Sequence, residues 1–434
     1  MEKFSALEDL FLQVCGEQLE KRDGYKVRGE LGIFSSAVIV WLGIQQRLNG
    51  QSQSAVLGEF AARLESGEKI SLVSRPSRKL REGEISTNSG GLSRARGRLP
   101  ESVCKELFLQ SAKNIEGHFA NLGQRESNIY LIDGLVLAVA HTKETVSNYG
   151  KVRHGAGILH YPRVRCVSAH RLDTGVCSAL SIGNYTDHEI TLAKSALEQL
   201  PSGSTVVMDR GFASAALIQC AERLGISVIV RLKNTVGKRL LASQNSKSTV
   251  NWQSSDRSAQ VTGRVTYINN QVPGFRSSEF YLFTNTKIGD TELGQLYLKR
   301  LQVETAIRQV KQTLNLFFVS SKSPESIRKE IYIAYIAFNL IRAVMEDTAI
   351  ALSVPVNRLS FTATIDLVNT YAKLIPATPK TQLPKILDRF RIHIKQRLLP
   401  TRNYPRSYPR VVKLPGDKYP SAAVEKLVNQ EKGK

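Results

Sequence analysis

Thr205-Val-Val-Met208-Asp209-Arg210-Gly211-Phe212, followed within twenty residues by Ile226-Ser-Val-Ile-Val-Arg231, is the stretch whose reading decides the fold. Two short β-branched apolar runs flank a segment with helical spacing over residues 213–224, which predicts strand, helix, strand. Upstream, a helix is expected over about 189–200, with Asp187 as its cap. Before it, the stretches 163–169 and 176–182 read as strands joined at Asp173-Thr-Gly175, a hairpin turn shaped by Asp173. Earlier still, Ile129-Tyr130-Leu131-Ile132 runs into Asp133-Gly134. Strands followed by a strand–helix alternation predict an α/β domain around a mixed sheet. Asp133 and Asp209 each end an apolar run, and ligand sites in such folds gather at sheet ends.

Downstream the pattern changes. Asn251-Trp252, the run Ser258 to Ile268 and Phe280-Tyr-Leu-Phe283 read as strands around Gly/Asn/Ser/Pro turns, so a β-rich insertion is expected over about 232–287. Helix returns in Tyr297-Leu-Lys-Arg300-Leu-Gln-Val-Glu304-Thr-Ala-Ile-Arg308-Gln-Val-Lys311. On one continuous α-helix, Arg300, Glu304 and Lys311 lie at about 300°, 340° and 320° from Tyr297, with Arg308 at about 20°. One carboxylate then stands among three cations and a phenol on a single face, a pattern suited to a metal at the acid and a polyanion at the bases. A further helix over 331–345 is apolar enough to be core. Beyond Pro355 the chain is helical and basic, ending in an irregular tail, Arg402-Asn-Tyr-Pro-Arg-Ser-Tyr-Pro-Arg410, which is either a solvated terminus or a DNA-contacting arm.

The first 120 or so residues read as helices. Two of them, over 35–48 and 52–64, meet at Asn49-Gly50-Gln51, a spacing that permits a helix-turn-helix although the pattern favours an ordinary helical hairpin. Residues 71–98 turn polar and basic around Asn88-Ser-Gly-Gly91, which reads as a loop or linker able to track a DNA backbone.

The 434 residues carry 60 Lys and Arg against 38 Asp and Glu, a formal charge of +22. An excess of that size points to phosphate-rich partners, nucleic acid first. A hydrophobic fraction of 42% is enough for a sizeable core. Cys15, Cys104, Cys166, Cys177 and Cys220 are scattered without a Cys-x-x-Cys pair, as expected of reduced thiols and no zinc site. The amphipathic, acidic N-terminus is unlike a signal peptide, and the apolar stretch 33–44 is too short to span a bilayer, so a cytoplasmic protein is expected. There is no internal repeat, no G-x-x-x-x-G-K-[ST] loop and no G-x-G-x-x-G fingerprint, which leaves nucleotide-cofactor chemistry without support. His118, His141, His154, His160, His170, His188 and His393 form no metal-binding spacing and read as structural or surface residues.

Phosphodiester chemistry at paired metals needs carboxylates converging from separate elements. Asp133, Asp209 and Glu304 meet that demand if both strands lie near the sheet centre. Together, Ile132-Asp133-Gly134, Met208-Asp209-Arg210-Gly211-Phe212 and the Tyr297/Arg300/Glu304/Lys311 set resemble the DDE transposases of bacterial insertion sequences. More narrowly, they resemble the large insertion-sequence-four-like, cut-and-paste family marked by Y-x2-R-x3-E-x6-K. All four signature positions stand at the family spacing, and the insertion lies where the family has it, between the second Asp and the Glu. The resemblance is strong over roughly 125–345 and general elsewhere.

That resemblance implies a ribonuclease-H-like core over 125–345, a helical DNA-binding region over 1–124 with its basic linker, and a basic C-terminal region over 346–434. It implies that Asp133, Asp209 and Glu304 hold two Mg²⁺ ions, with Mn²⁺ able to substitute, for cleavage at transposon ends and strand transfer into target DNA. Arg300 and Lys311 would grip phosphates of the double-stranded terminal inverted repeats, with Tyr297 bonding the same backbone. The solvated-helix alternative for the two bases is worth only a few tenths of a kcal/mol. Arg308 joins the same basic face. Arg210 has two readings, a DNA contact or a brace for Asp209. Trp252 reads first as core packing and second as a platform for a flipped base. The resemblance also suggests a homodimeric synaptic complex, a hairpin intermediate and a nucleoid-associated location in a bacterium. The competing readings are a catalytically inactive DNA-binding repressor or domesticated derivative, and a general nuclease on the same fold.

Overall fold

The structure, a computed structural model, describes residues 7–23, 34–68, 70, 72, 87–122, 128–150, 153–154, 157–158, 161–245, 248–269, 279–375 and 378–400. Five helices come first, α1 (Leu7–Asp23), α2 (Ser36–Asn49), α3 (Gln53–Glu65), α4 (Ser89–Arg98) and α5 (Glu101–Asn121). Ser35 caps α2 by accepting from the Val38 amide at 3.2 Å, and Gly50 ends it in the left-handed region at φ 64°. α2 is buried along most of its length and packs in the core as one arm of a hairpin with α3.

The sheet begins with β1 (Ile129–Val139), followed by α6 (Lys143–Tyr149) and a two-strand ribbon of β2 (Arg153–His154) and β3 (Gly157–Ile158). Then come β4 (Arg163–Arg171), β5 (Cys177–Asn184), α7 (Glu189–Leu197), β6 (Thr205–Met208), α8 (Ala215–Arg223) and β7 (Ser227–Arg231). The insertion contributes α9 (Asn234–Ala242), β8 (Val250–Gln253), β9 (Gln260–Asn269) and β10 (Glu279–Thr284). The remaining elements are α10 (Asp290–Leu298), α11 (Leu301–Arg308), a π-helical turn over Gln309–Thr313, β11 (Phe318–Val319), α12 (Pro324–Leu352), α13 (Phe361–Leu374) and α14 (Leu383–Lys395).

Strand order in the main sheet is β5-β4-β1-β6-β7-β10-β9-β8, with β11 also pairing with β1. β1, β6 and β7 are parallel at the centre, and the strands on both sides run antiparallel. This is the expected α/β, ribonuclease-H-like mixed sheet. Residue parity sorts its two faces, because successive side chains point to opposite sides. Tyr130, Ile132, Val206 and Met208 pack with α7 and α8, whereas Leu131, Val207 and Ile229 pack with Tyr297 and Val303. A third apolar cluster surrounds α12, whose central residues 331–341 are almost fully buried, and it takes in side chains from α1 to α5 as well as α13. Among the described residues no helix is long and apolar enough to cross a membrane.

Several expectations need correction. Asp133 lies inside an eleven-residue strand rather than at its end. Residues 89–98 form α4, not a loop, because Asn88 caps the Gly90 amide at 2.9 Å and the Lys329 ammonium holds the carbonyls of Arg96 and Leu99 at the far end. The rest of the expected linker and the Arg402–Arg410 tail lie outside the described residues. The insertion opens with helix, and β10 pairs with β7, so its strands prolong the main sheet. Asp187 does not cap α7. His188 is the N-cap, and Asp187 closes the preceding turn by accepting from the Asn184 amide at 2.7 Å.

The segment 297–311 is not one α-helix either. Between α10 and α11 the amides of Lys299, Arg300, Gln302 and Val303 bond three residues back instead of four. That tighter turn changes the rotation per residue, and the π-helical turn changes it again before Lys311.

Candidate active site

Parallel pairing of β1 with β6 matches Ile132 to Met208, where β6 stops. The next residues, Asp133 and Asp209, therefore stand side by side, and parity turns Asp133 toward the face where α11 packs. Farther along, β1 pairs with β11 at Ala138 and Phe318. The span between those pairings has β4 on one side only, and α11 packs against β1.

Each aspartate is oriented by the backbone. Asp133 Oδ1 accepts from the Gly134 amide at 2.8 Å, and Asp209 Oδ1 accepts from the Gly211 amide at 2.7 Å in the turn Arg210–Phe212. The Arg300 guanidinium donates to Asp133 Oδ2 at 3.2 Å and to Glu304 Oε1 at 2.7 Å. Burial pushes the Asp133 carboxyl up to about 6; the Gly134 amide and Arg300 pull it back, while the charges of Asp209 and Glu304 add to the rise. Asp133 thus feels the charge of both other acids.

Tyr297 is buried against Phe280, ring centroids 5.1 Å apart, and burial raises its phenol while Arg300 and Arg231 oppose the rise. Its neighbours are therefore the bases of this cluster, reached from α10 rather than from the helix of Glu304.

Hard carboxylate oxygens from separate elements form a donor set that suits a divalent cation. Here a cation already stands between two of them, the guanidinium of Arg300. Among the described residues no three acidic, His or Cys groups converge on one point as they stand. The Glu304 side chain is 50% exposed, so its bond to Arg300 is worth only ~0.5 kcal/mol and is readily exchanged. The residues fit the metal once Arg300 releases them.

Other expected site residues are placed apart. Arg210 and Arg308 are exposed, and Lys311 sits half-buried in the π-helical turn. Among the described residues none of the three makes a hydrogen bond or ion pair with the acids. Trp252 is 7% exposed and meets Phe283 edge-on at 5.4 Å, the packing role that its sequence favoured. It also lines a cavity with Lys233, Arg239 and Arg257 beside Ser214. Glu189, absent from the sequence-derived set, reaches the cluster from the start of α7; burial raises its carboxyl, Arg165 opposes that rise and Asp209 adds to it. An acidic residue at a helix start reads as ordinary, so nothing in the sequence marks it.

A family model described as "Transposase DDE domain" matches residues 124–340, half of the chain. The transposase InsG for insertion sequence element IS4 of Escherichia coli (strain K12) is 24% identical over 353 residues, covering 76% of this chain and 77% of that protein. A putative transposase for insertion sequence element IS4SA of Synechocystis sp. (strain ATCC 27184 / PCC 6803 / Kazusa) is 23% identical over 314 residues, covering 70% and 80%. Among solved structures, a piggyBac transposase synaptic complex with hairpin DNA aligns over 98% of this chain and 90% of that chain at TM-score 0.42 and 9% identity, a likeness too loose to bear on function. The match spans the sheet, the neighbouring aspartates and the helix that carries Glu304, and with it the chain takes its place among the DDE transposases, enzymes that use divalent metal to move DNA, in the branch of insertion sequence IS4.

Proposed function

We propose that Asp133, Asp209 and Glu304 are the metal-holding acids of this transposase, and that two Mg²⁺ ions, replaceable by Mn²⁺, bind there. The observation that carries this reading is the β1–β6 register, which sets Asp133 beside Asp209 on the face where α11 packs. Divalent ions bound at such acids supply Lewis-acid activation of an attacking oxygen and neutralise charge on the leaving oxygen. In the first reaction a P–O bond at the transposon end breaks as water attacks, freeing a 3′-hydroxyl. In the second that hydroxyl attacks a phosphodiester of target DNA, a balanced transesterification.

The chain's own groups position the phosphates. Arg300, on leaving Glu304, can donate its fork to a phosphate without leaving the site. Lys311, Arg308 and Arg210, exposed or half-buried, would extend the basic track, and Tyr297 would bond the same backbone. Trp252 with Lys233, Arg239 and Arg257 offers a further basic recess beside the Asp209 turn. The helical N-terminal region, 1–124, and the basic region 346–434 would hold the terminal inverted repeats and target duplex, in a homodimeric synaptic complex at the nucleoid in the cytoplasm of a bacterium. A hairpin intermediate belongs to the same reading.

Glu304→Gln is expected to abolish Mg²⁺-dependent cleavage of the element's ends while leaving gel-shift affinity for them within about twofold. Cleavage at normal rates would sink the assignment. A wild-type chain that binds ends but never cuts them would be an inactive repressor, and cutting without regard to end sequence would indicate a general nuclease. Short inverted repeats bordered by direct duplications in the DNA around the coding region supply the substrate.

A further inference from the structure

The glycines that follow Asp133 and Asp209 both lie against the Glu189 carboxylate. A Cβ built on Gly134 would fall inside the carboxylate of Glu189, and one on Gly211 would lie 3.0 Å from Asp209 Oδ1 and 3.8 Å from Glu189 Oε2. The amide of each glycine orients an aspartate, and the missing side chain of Gly134 lets Glu189 press against the backbone of β1, while at Gly211 Glu189 stands at ordinary contact distance. Neither glycine needs its special backbone freedom here, since neither has a positive φ. Space for Glu189 explains Gly134 where turn geometry does not.

The charged groups that act on Glu189 most are Arg165 and Asp209. Arg165 donates to the Asp187 carbonyl at 2.8 Å and lies over the Tyr185 ring at 5.1 Å. Among the described residues Glu189 makes no ion pair. A half-buried carboxylate set beside a second carboxylate, with no cation paired to it, is costly unless a cation joins them. As a mere helix-start acid it would have no reason to occupy a slot in the strand of Asp133.

We infer that Glu189 is a fourth carboxylate ligand of the metal centre, closing the Asp133–Asp209 side, directly or through a water. This rests on the proposed metal-holding role of Asp133 and Asp209. Asp209 and Glu189 would then flank the site from the α7 side of the sheet, with Asp133 and Glu304 on the α11 side. Removing a carboxylate from the Asp209–Glu189 pair lowers the charge that draws a divalent ion there.

The test is Mn²⁺ binding to the full chain without DNA, followed by electron paramagnetic resonance, in wild type, Glu189→Gln, Asp209→Asn and the remote control Glu144→Gln. Glu189→Gln is expected to weaken the tightest Mn²⁺ site tenfold or more while its metal-free melting temperature stays level or rises, because a like-charge contact is removed. If Glu189 only stabilises the start of its helix, the melting temperature falls and Mn²⁺ affinity stays at the wild-type value, which overturns the inference. Asp209→Asn separates this inference from its premise. Loss of affinity in Asp209→Asn alone removes Glu189 from the site, and no loss in either variant removes the site itself. Should Glu189→Gln misfold, Glu189→Asp, which withdraws the carboxylate by one methylene, must show the weakened binding.

Discussion

On the proposed reading, Arg300 is the residue on which the DNA-free and DNA-bound states of this site would turn. Its side chain, 13% exposed, pairs with a half-buried Asp133 and a half-exposed Glu304, so on the proposed reading it would compete with metal for both. Arg300→Ala is expected to tighten Mn²⁺ binding to the DNA-free chain about tenfold, equivalent to roughly 1.4 kcal/mol, and to weaken DNA binding. Unchanged Mn²⁺ affinity in a direct titration would show that the guanidinium is no competitor. The sequence singled out Asp133, Asp209 and Glu304 as candidates through their motifs, although Asp133 lies within its strand and not at its end. It did not announce that Arg300 bridges two of them or that Glu189 fills the space at Gly134. The first contact joins positions 167 residues apart, and the second joins elements with no shared pattern.

At the scale of elements, the helix that binds the sheet's edge strand depends on one side chain. Asn339 on α12 accepts from the Cys177 amide at 2.8 Å and donates to the Cys177 carbonyl at 2.9 Å, fully buried. Asn339→Leu leaves both backbone groups of Cys177 without that partner and should cost about 2–4 kcal/mol, read as a lower urea midpoint with an unchanged slope. A loss under 0.5 kcal/mol would mean that water or a strand shift replaces the pair. Strands and buried helices were legible here because Val/Ile runs and the 331–345 apolar stretch follow period two or complete burial. The break at 298–301 was not, because no Gly or Pro marks it. Packing of Tyr297 on Phe280 and pairing of Arg300 with Asp133 set it instead. α4 was hidden for the opposite reason, as its Gly- and Ser-rich start is held by a cap and its far end by a lysine from a distant helix.

For the molecule as a whole, charge and burial make separate forecasts. A chain with net charge +22 should bind duplex DNA with a steep salt dependence. Lys311→Ala, if it removes one phosphate contact, should reduce the slope of log K against log salt by about 1. An unaltered slope would take Lys311 off the DNA path. Burial, with the charge of Arg342, pushes the His170 imidazole down to about 4, although its bond to the Gly175 carbonyl opposes this. The unfolded chain therefore takes up that proton first. Stability from neutral His170 is complete above the ordinary value near 6.5 and drains away as pH falls from there toward about 4, by roughly 1.4 kcal/mol per pH unit. Urea midpoints of wild type should drop more steeply than those of His170→Gln across that window, and parallel curves would contradict the burial argument. Charge and core size were readable from composition. The sharing of one apolar cluster between the first five helices and α12 was not, because an amphipathic stripe does not name what it packs against.

The central claim is the proposed one, that Asp209, beside Asp133, holds catalytic metal. Asp209→Cys tests it most directly, since a thiolate ligates Mn²⁺ far better than the hard Mg²⁺. Cleavage of the element's ends by this variant should be lost in Mg²⁺ and regained in Mn²⁺, with end binding unchanged in both. Wild-type cleavage by Asp209→Cys in Mg²⁺ would contradict the account.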